Sequence, residues 1–145
     1  MDTNLKREII LDNYENPRNR GLIEDNKYIK SDMNNESCID HVIVEAKIED
    51  DIIKDIKFDG EACAICTSSA SIMTETLKNK NVSEAKEIFD NFTQMIDGKD
   101  FDKDILEEAI VYEDIKNQPN RRKCACLSWW GINEILNKNK FDKNN

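Results

Sequence analysis

Near the start of the chain Leu5, Ile9, Ile10 and Tyr14 recur at spacings close to the helical period, Thr3 can cap the segment, and Asn16-Pro17 should end it. A polar stretch follows, with Gly21 in a loop. Val42, Val44, Ala46 and Ile48 then alternate with Ile43, Glu45 and Lys47, the period-two pattern of a strand with one buried face. Beyond the turn residues Glu49 to Asp51, Ile52, Ile56 and Phe58 alternate with Asp55 and Lys57, so the two runs predict a hairpin closed by Asp59-Gly60. Small residues dominate from Cys63 to Leu77 and predict a helix packed closely on the sheet. Asn81 or Ser83 caps a further helix with the stripe Ala85, Ile88, Phe89, Phe92, Met95 and Ile96, stopped by Gly98. Another helical pattern carries Ile105, Leu106, Ala109 and Ile110 towards Tyr112, and Pro119 breaks the chain ahead of Arg121, Arg122 and Lys123. The last helix carries Leu127, Trp130, Ile135 and Leu136, and residues 137–145 are polar enough to be expected as a frayed, disordered tail. The order predicts an α+β domain over residues 1–136, a small antiparallel β-sheet packed against several helices.

Length and charge narrow what such a domain can do. The 145 residues suit one ordinary domain, and a formal charge of -9, from 30 acidic against 21 basic residues, repels phosphate backbones, so nucleic acid is not an expected partner. The beginning mixes Asp2, Lys6, Arg7 and Glu8 with apolar residues, unlike a secretory or transit segment, and no apolar run is long enough to cross a membrane. A cytoplasmic location is therefore expected, where the 5 cysteines read as ligands or nucleophiles rather than as a disulfide framework.

The candidate chemistry lies in Cys38, Asp40, Cys63, Cys66, Cys124 and Cys126. Cys38 and Asp40 are two apart and project from one face of an extended segment, so one ion could take both. Cys63 and Cys124 each follow a turn or proline and precede a helical pattern, where free N–H groups and the helix dipole favour a thiolate. Three thiolates and a carboxylate make a reasonable tetrahedral zinc shell, and thiolates also suit iron-sulfur clusters. Cys66 reads better as a small buried hydrophobe, and Cys126 divides evenly between core residue and ligand. His41, the single histidine, is more often a surface or packed residue than a ligand, and the Arg121-Arg122-Lys123 run could depress the pKa of Cys124. A zinc deaminase would need glutamate two residues beyond His41, where Ile43 stands, and no Gly-x-Ser-x-Gly elbow exists for a serine nucleophile.

Four segments together resemble the IscU/NifU/SufU-like iron-sulfur cluster assembly proteins: Tyr14 to Gly21; Cys38-Ile39-Asp40; Phe58 to Ile65 with Ser69-Ala70-Ser71; and Arg121 to Trp129. The resemblance covers nearly the whole chain to Leu136. It is nearest the SufU branch, because Lys123 rather than histidine precedes the third cysteine and a long insert separates Cys63 from Cys124. It implies metal ligands Cys38, Asp40, Cys63 and Cys124 around zinc, or alternatively iron or a [2Fe-2S] cluster. Cys38 would be the catalytic sulfur acceptor from a pyridoxal-phosphate cysteine desulfurase of SufS type, with other cluster-assembly proteins as further partners. Ile39 stands where the family usually has glycine, and Cys66 and Cys126 where it commonly has hydroxyl or other small residues.

Two functions follow, a sulfur carrier or cluster scaffold, and a dithiol redox or structural zinc module in which Cys63 and Cys66 cycle. The second leaves Cys38, Asp40 and Cys124 without a shared role.

Overall fold

The computed structural model describes residues 1–36 and 39–144, with side chains described to residue 139. Helix α1, Thr3–Glu15, is followed by strands β1, Ile29–Asn34, β2, His41–Glu49, and β3, Ile52–Glu61. Helices α2, Ala64–Leu77, and α3, Val82–Ile96, come next, then two 3₁₀ segments, Lys103–Ile105 and Glu107–Asn117, and the long helix α4, Pro119–Asn144. The architecture is α+β. The sheet has the order β1-β2-β3 and is antiparallel throughout, with α2 packed on β3 and α4 on β1 and β2.

The hairpin forms where its alternation predicts, but a register shift at Lys47/Ile48 accompanies burial of Ile53 rather than Ile52 at the start of β3. Val42, Val44 and Ala46 of β2 and Ile53, Ile56 and Phe58 of β3 are buried, and Asp50 and Asp51 take positive φ of 55 and 61 in the connecting two-residue turn. Gly60 pairs with Val42 at φ +131, and a Cβ there would stand 2.0 Å from the His41 carbonyl oxygen. Only glycine allows β3 to run that close to β2. Asn81 caps α3 in a capping box with Glu84, and the stripe Ala85, Ile88, Phe92, Met95 and Ile96 is buried.

Several expectations change. β1 lies in what the sequence presents as loop, because Ile29 and Met33 are its only apolar residues and its Asp and Asn positions disfavour strand; pairing with the open edge of β2 creates it. Asp2, not Thr3, caps α1 by accepting the Leu5 N–H at 2.8 Å. The α1 stripe is only half used, since Ile9 and Ile10 pack partly buried against the core whereas Leu5 and Tyr14 are exposed and Lys6 is buried against Glu113 and Asp114. Residues 107–117 wind as 3₁₀ helix, in keeping with Ala109, Tyr112 and Ile115 buried three apart. Pro119 opens α4 at its first position instead of breaking the chain ahead of it. In the same helix Trp129, rather than Trp130, is the buried member of the pair, stacked on Phe92 at 4.1 Å between ring centroids. Helix α4 ends at Asn144, and within it the Lys138 amine donates to the Lys30 carbonyl at 3.0 Å.

The Tyr14 to Gly21 segment is a clasp. The Arg18 N–H donates to Ser71 Oγ at 2.8 Å, Ser71 Oγ donates to Asn13 Oδ1 at 2.7 Å, and the Gly21 N–H donates to the Phe58 carbonyl at 2.8 Å. Together these bonds tie the end of α1 to α2 and β3.

Two outcomes test this account. Gly60→Ala should lower stability by about 3 kcal/mol, read by chemical denaturation, because the added methyl meets backbone and the φ is disfavoured. Tyr28 donates to Asp55 Oδ2 at 2.6 Å, and burial, then this bond, raise its pKa from 10.0 to about 12. The folded state therefore holds the phenol proton where the unfolded chain releases it. Tyr28's contribution should be complete below about pH 10 and vanish as pH rises through 12, and Tyr28→Phe should flatten that part of the stability profile.

Candidate metal centre

The hairpin register builds the first part of the site. His41 pairs with Glu61, so Asp40, just before β2, lies beside the chain as it leaves β3 for α2. There the Cys63 N–H donates to Asp40 Oδ1 at 2.7 Å, while Cys63 Sγ lies 3.7 Å from Asp40 Oδ2. Cys63 is the N-cap of α2, and its sulfur accepts the Cys66 N–H at 3.4 Å. One carboxylate thus orients the N-terminus of a helix with one oxygen and keeps the other for the thiol.

Helix α4 brings Cys124. Ser69 Oγ of α2 donates to the Ala125 carbonyl at 2.6 Å and accepts from Trp129 Nε1 at 3.1 Å, which holds α4 at a set height along α2. A close approach to the sheet permits it, since a Cβ on Gly131 would lie 3.1 Å from Val44 Cγ2. As a result one ligand atom each of Asp40, Cys63 and Cys124 lies within 4.8 Å of the others. Asp40 and Cys124 are buried and Cys63 is partly exposed.

The donors suit a divalent ion. With Zn–S near 2.3 Å and Zn–O near 2.1 Å, a tetrahedral sulfur–oxygen edge is roughly 3.6 Å, close to the 3.7 Å between Cys63 Sγ and Asp40 Oδ2. Electrostatics point the same way. Burial first, then Asp40 and Cys63, push the Cys124 thiol well above the ordinary cysteine range, and every one of these influences disfavours its thiolate. A cation between the donors would reverse them. The expected depression by Arg121, Arg122 and Lys123 does not occur, because Cys124 lies in the second turn of α4, inside the helix, while Arg122 donates to the Lys116 carbonyl.

Cys38 lies outside the described residues. Cys66 and Cys126 are buried among core residues, Cys66 wholly so, and neither joins the cluster. Two positions apart on α4, Cys126 and Cys124 face different sides, and burial raises the Cys126 pKa to about 12. His41 faces Asp32 at 2.6 Å and is likewise outside the cluster. Asn35 was not foreseen: its Nδ2 lies 4.0 Å from Cys124 Sγ and its N–H donates to the Asp40 carbonyl at 3.0 Å. Nothing in its spacing set it apart from neighbouring polar residues.

Asp40→Asn should separate the two roles of the carboxylate. The amide oxygen can still accept the Cys63 N–H, so the metal-free protein should unfold as wild type does, while the lost charge weakens metal binding by at least about tenfold in a chelator competition.

Comparison with known proteins identifies relatives of this chain. The family described as NifU-like N terminal domain matches residues 5–125. The chain is 39% identical over 139 residues to the zinc-dependent sulfurtransferase SufU of Bacillus subtilis (strain 168), covering 95% of this chain and 92% of that protein. It is 36% identical over 131 residues to the iron-sulfur cluster assembly scaffold protein IscU of Thermotoga maritima, covering 90% and 92%. The crystal structure of a putative iron-sulfur cluster assembly scaffold protein for the SUF system from Fervidobacterium islandicum AW-1 superposes with a TM-score of 0.80 at 33% identity, over 89% of this chain and 94% of that one. With the fold, the motif positions and these likenesses in agreement, the chain belongs to the NifU-like N-terminal domain family.

Proposed function

We propose that this protein serves iron-sulfur cluster assembly as a zinc-dependent sulfur acceptor and carrier. In this reading Cys38, Asp40, Cys63 and Cys124 hold the zinc ion, and Cys38 receives sulfur from a SufS-type pyridoxal-phosphate cysteine desulfurase. The observation that carries the proposal is the convergence of Asp40, Cys63 and Cys124 within 4.8 Å, in a chain similar to a zinc-dependent sulfurtransferase. Zinc supplies a fixed positive charge that keeps thiols deprotonated at neutral pH.

The residues divide the work. Asp40 anchors α2 through the Cys63 N–H and adds an oxygen donor. Cys124 adds a buried thiolate from a helix held by Ser69 and Trp129. Cys38 attacks the terminal sulfur of the desulfurase persulfide. A sulfur–sulfur bond forms on Cys38, the bond within the enzyme's persulfide breaks, and the enzyme leaves as its thiolate, so no outside oxidant is consumed. Passage of that sulfur to further cluster-assembly proteins completes the role. The cytoplasm, where thiols stay reduced, suits this chemistry.

Mixing the protein with cysteine and its organism's desulfurase should speed alanine release and leave a persulfide that peptide mapping places on Cys38. Cys38→Ala should fold yet accept no sulfur. Equal stimulation by Cys38→Ala would overturn the carrier reading. The likeness to an IscU scaffold favours a second use of the same donors, holding a [2Fe-2S] cluster. Protein purified without air would then show cluster absorption and iron in place of zinc.

A further inference from the structure

Cys63 and Cys66 occupy the N-cap and third positions of α2, the two positions whose side chains face each other in a capping box. Cys63 Sγ is folded back over this turn, accepting the Cys66 N–H at 3.4 Å. From helical rise and radius, Cα atoms three apart are about 5 Å from each other, inside the roughly 4.4–6.8 Å that a disulfide spans. Cys63 is the partly exposed donor of the cluster, whereas Cys66 and Cys124 are buried. A small oxidant therefore meets Cys63 first, and a second thiol follows three residues on, outside the donor group.

We propose that Cys63 and Cys66 form a redox-modification site: a hydroperoxide converts the pair to a disulfide, which removes Cys63 from the donor set and discharges the metal. The inference rests on the metal-centre reading above. The Cys63 thiolate attacks a peroxide oxygen, the O–O bond breaks, and the leaving oxygen takes up a proton as water or an alcohol. Cys63 is then a sulfenic acid. The Cys66 sulfur attacks it, the S–O bond breaks, water leaves with the Cys66 proton, and the sulfur–sulfur bond forms. Two thiols have lost two electrons to the peroxide, and the disulfide sulfur no longer carries the charge that bound the ion.

Cys124 is the competing partner, its sulfur lying within 4.8 Å of Cys63 Sγ. Closing that gap to a bond length of about 2.05 Å would draw α4 towards α2, against the Ser69 to Ala125 bond and the stacking of Trp129 on Phe92. Joining Cys63 to Cys66 stays within the first turn of α2 and leaves those contacts between helices in place.

Zinc-loaded protein is treated with hydrogen peroxide while a chelating dye follows the metal and tryptic peptides are weighed without reduction. Both thiols fall in the peptide Phe58–Lys78, which should become two hydrogens lighter as metal is released, and dithiothreitol with added zinc should restore both. Cys66→Ser and Cys66→Ala should load with metal before treatment, but peroxide should carry their Cys63 to sulfinic acid and dithiothreitol should recover no metal. Cys63 found cross-linked to the peptide Cys124–Lys138, or full metal recovery in both Cys66 variants, would overturn the proposal. Loaded protein whose Phe58–Lys78 peptide stays unchanged would overturn the switch alone, whereas untreated protein that binds no zinc would overturn the metal-centre reading beneath it.

Discussion

The hydrogen bond from the Cys63 N–H to Asp40 Oδ1 joins the start of one strand to the start of a helix that follows the next. It depends on β2 and β3 staying in register to their last pair, His41 with Glu61, and that register depends on Gly60 lying against the His41 carbonyl. A side chain at residue 60 would push the strands apart where they must be closest. The carboxylate would then lose the helix terminus, and the terminus would lose the acceptor for an N–H that the helix cannot satisfy itself.

Around that bond the fold buries groups that proteins ordinarily keep in water. Asp40 and Cys124 are buried, and burial together with the neighbouring Asp40 makes ionisation of the Cys124 thiol harder. Without a metal this burial favours the neutral Cys124 thiol, and a divalent ion between the donors would instead favour its thiolate. Buried stacking and hydrogen bonds between helices hold the arrangement. Trp129 stacks on Phe92, its indole N–H and the Ala125 carbonyl share Ser69, and Gly131 lets α4 settle onto β1 and β2.

The same arrangement separates the cysteines by what can reach them. Cys124 is enclosed between helix and sheet, while Cys63 is partly open at a helix terminus. Cys66 and Cys126 fill core space, and burial raises the Cys126 pKa so that it stays a neutral thiol at physiological pH. Cysteines of identical type thus behave differently because of burial and neighbours.

Much of this was legible in the chain before any fold. Alternation marked β2 and β3, a cap and an apolar stripe marked α3, and the motif segments marked Asp40, Cys63 and Cys124 as candidate donors, because these signals depend on neighbours in sequence. Other features depend on partners far away along the chain. β1 exists only because β2 offers an open edge, and Lys6 is buried only because Glu113 and Asp114 meet it. Of two adjacent tryptophans, Trp129 is core because Phe92 and Ser69 stand on its side of α4. The pKa of Cys124 likewise reversed its local expectation, since Arg122 bonds the Lys116 carbonyl and the groups that act on the sulfur, Asp40 and Cys63, come from just before β2 and from the N-cap of α2. Sequence determined which residues could bind a metal, while tertiary packing decided their distances, burial and charge, because those depend on long-range contacts that no local pattern encodes.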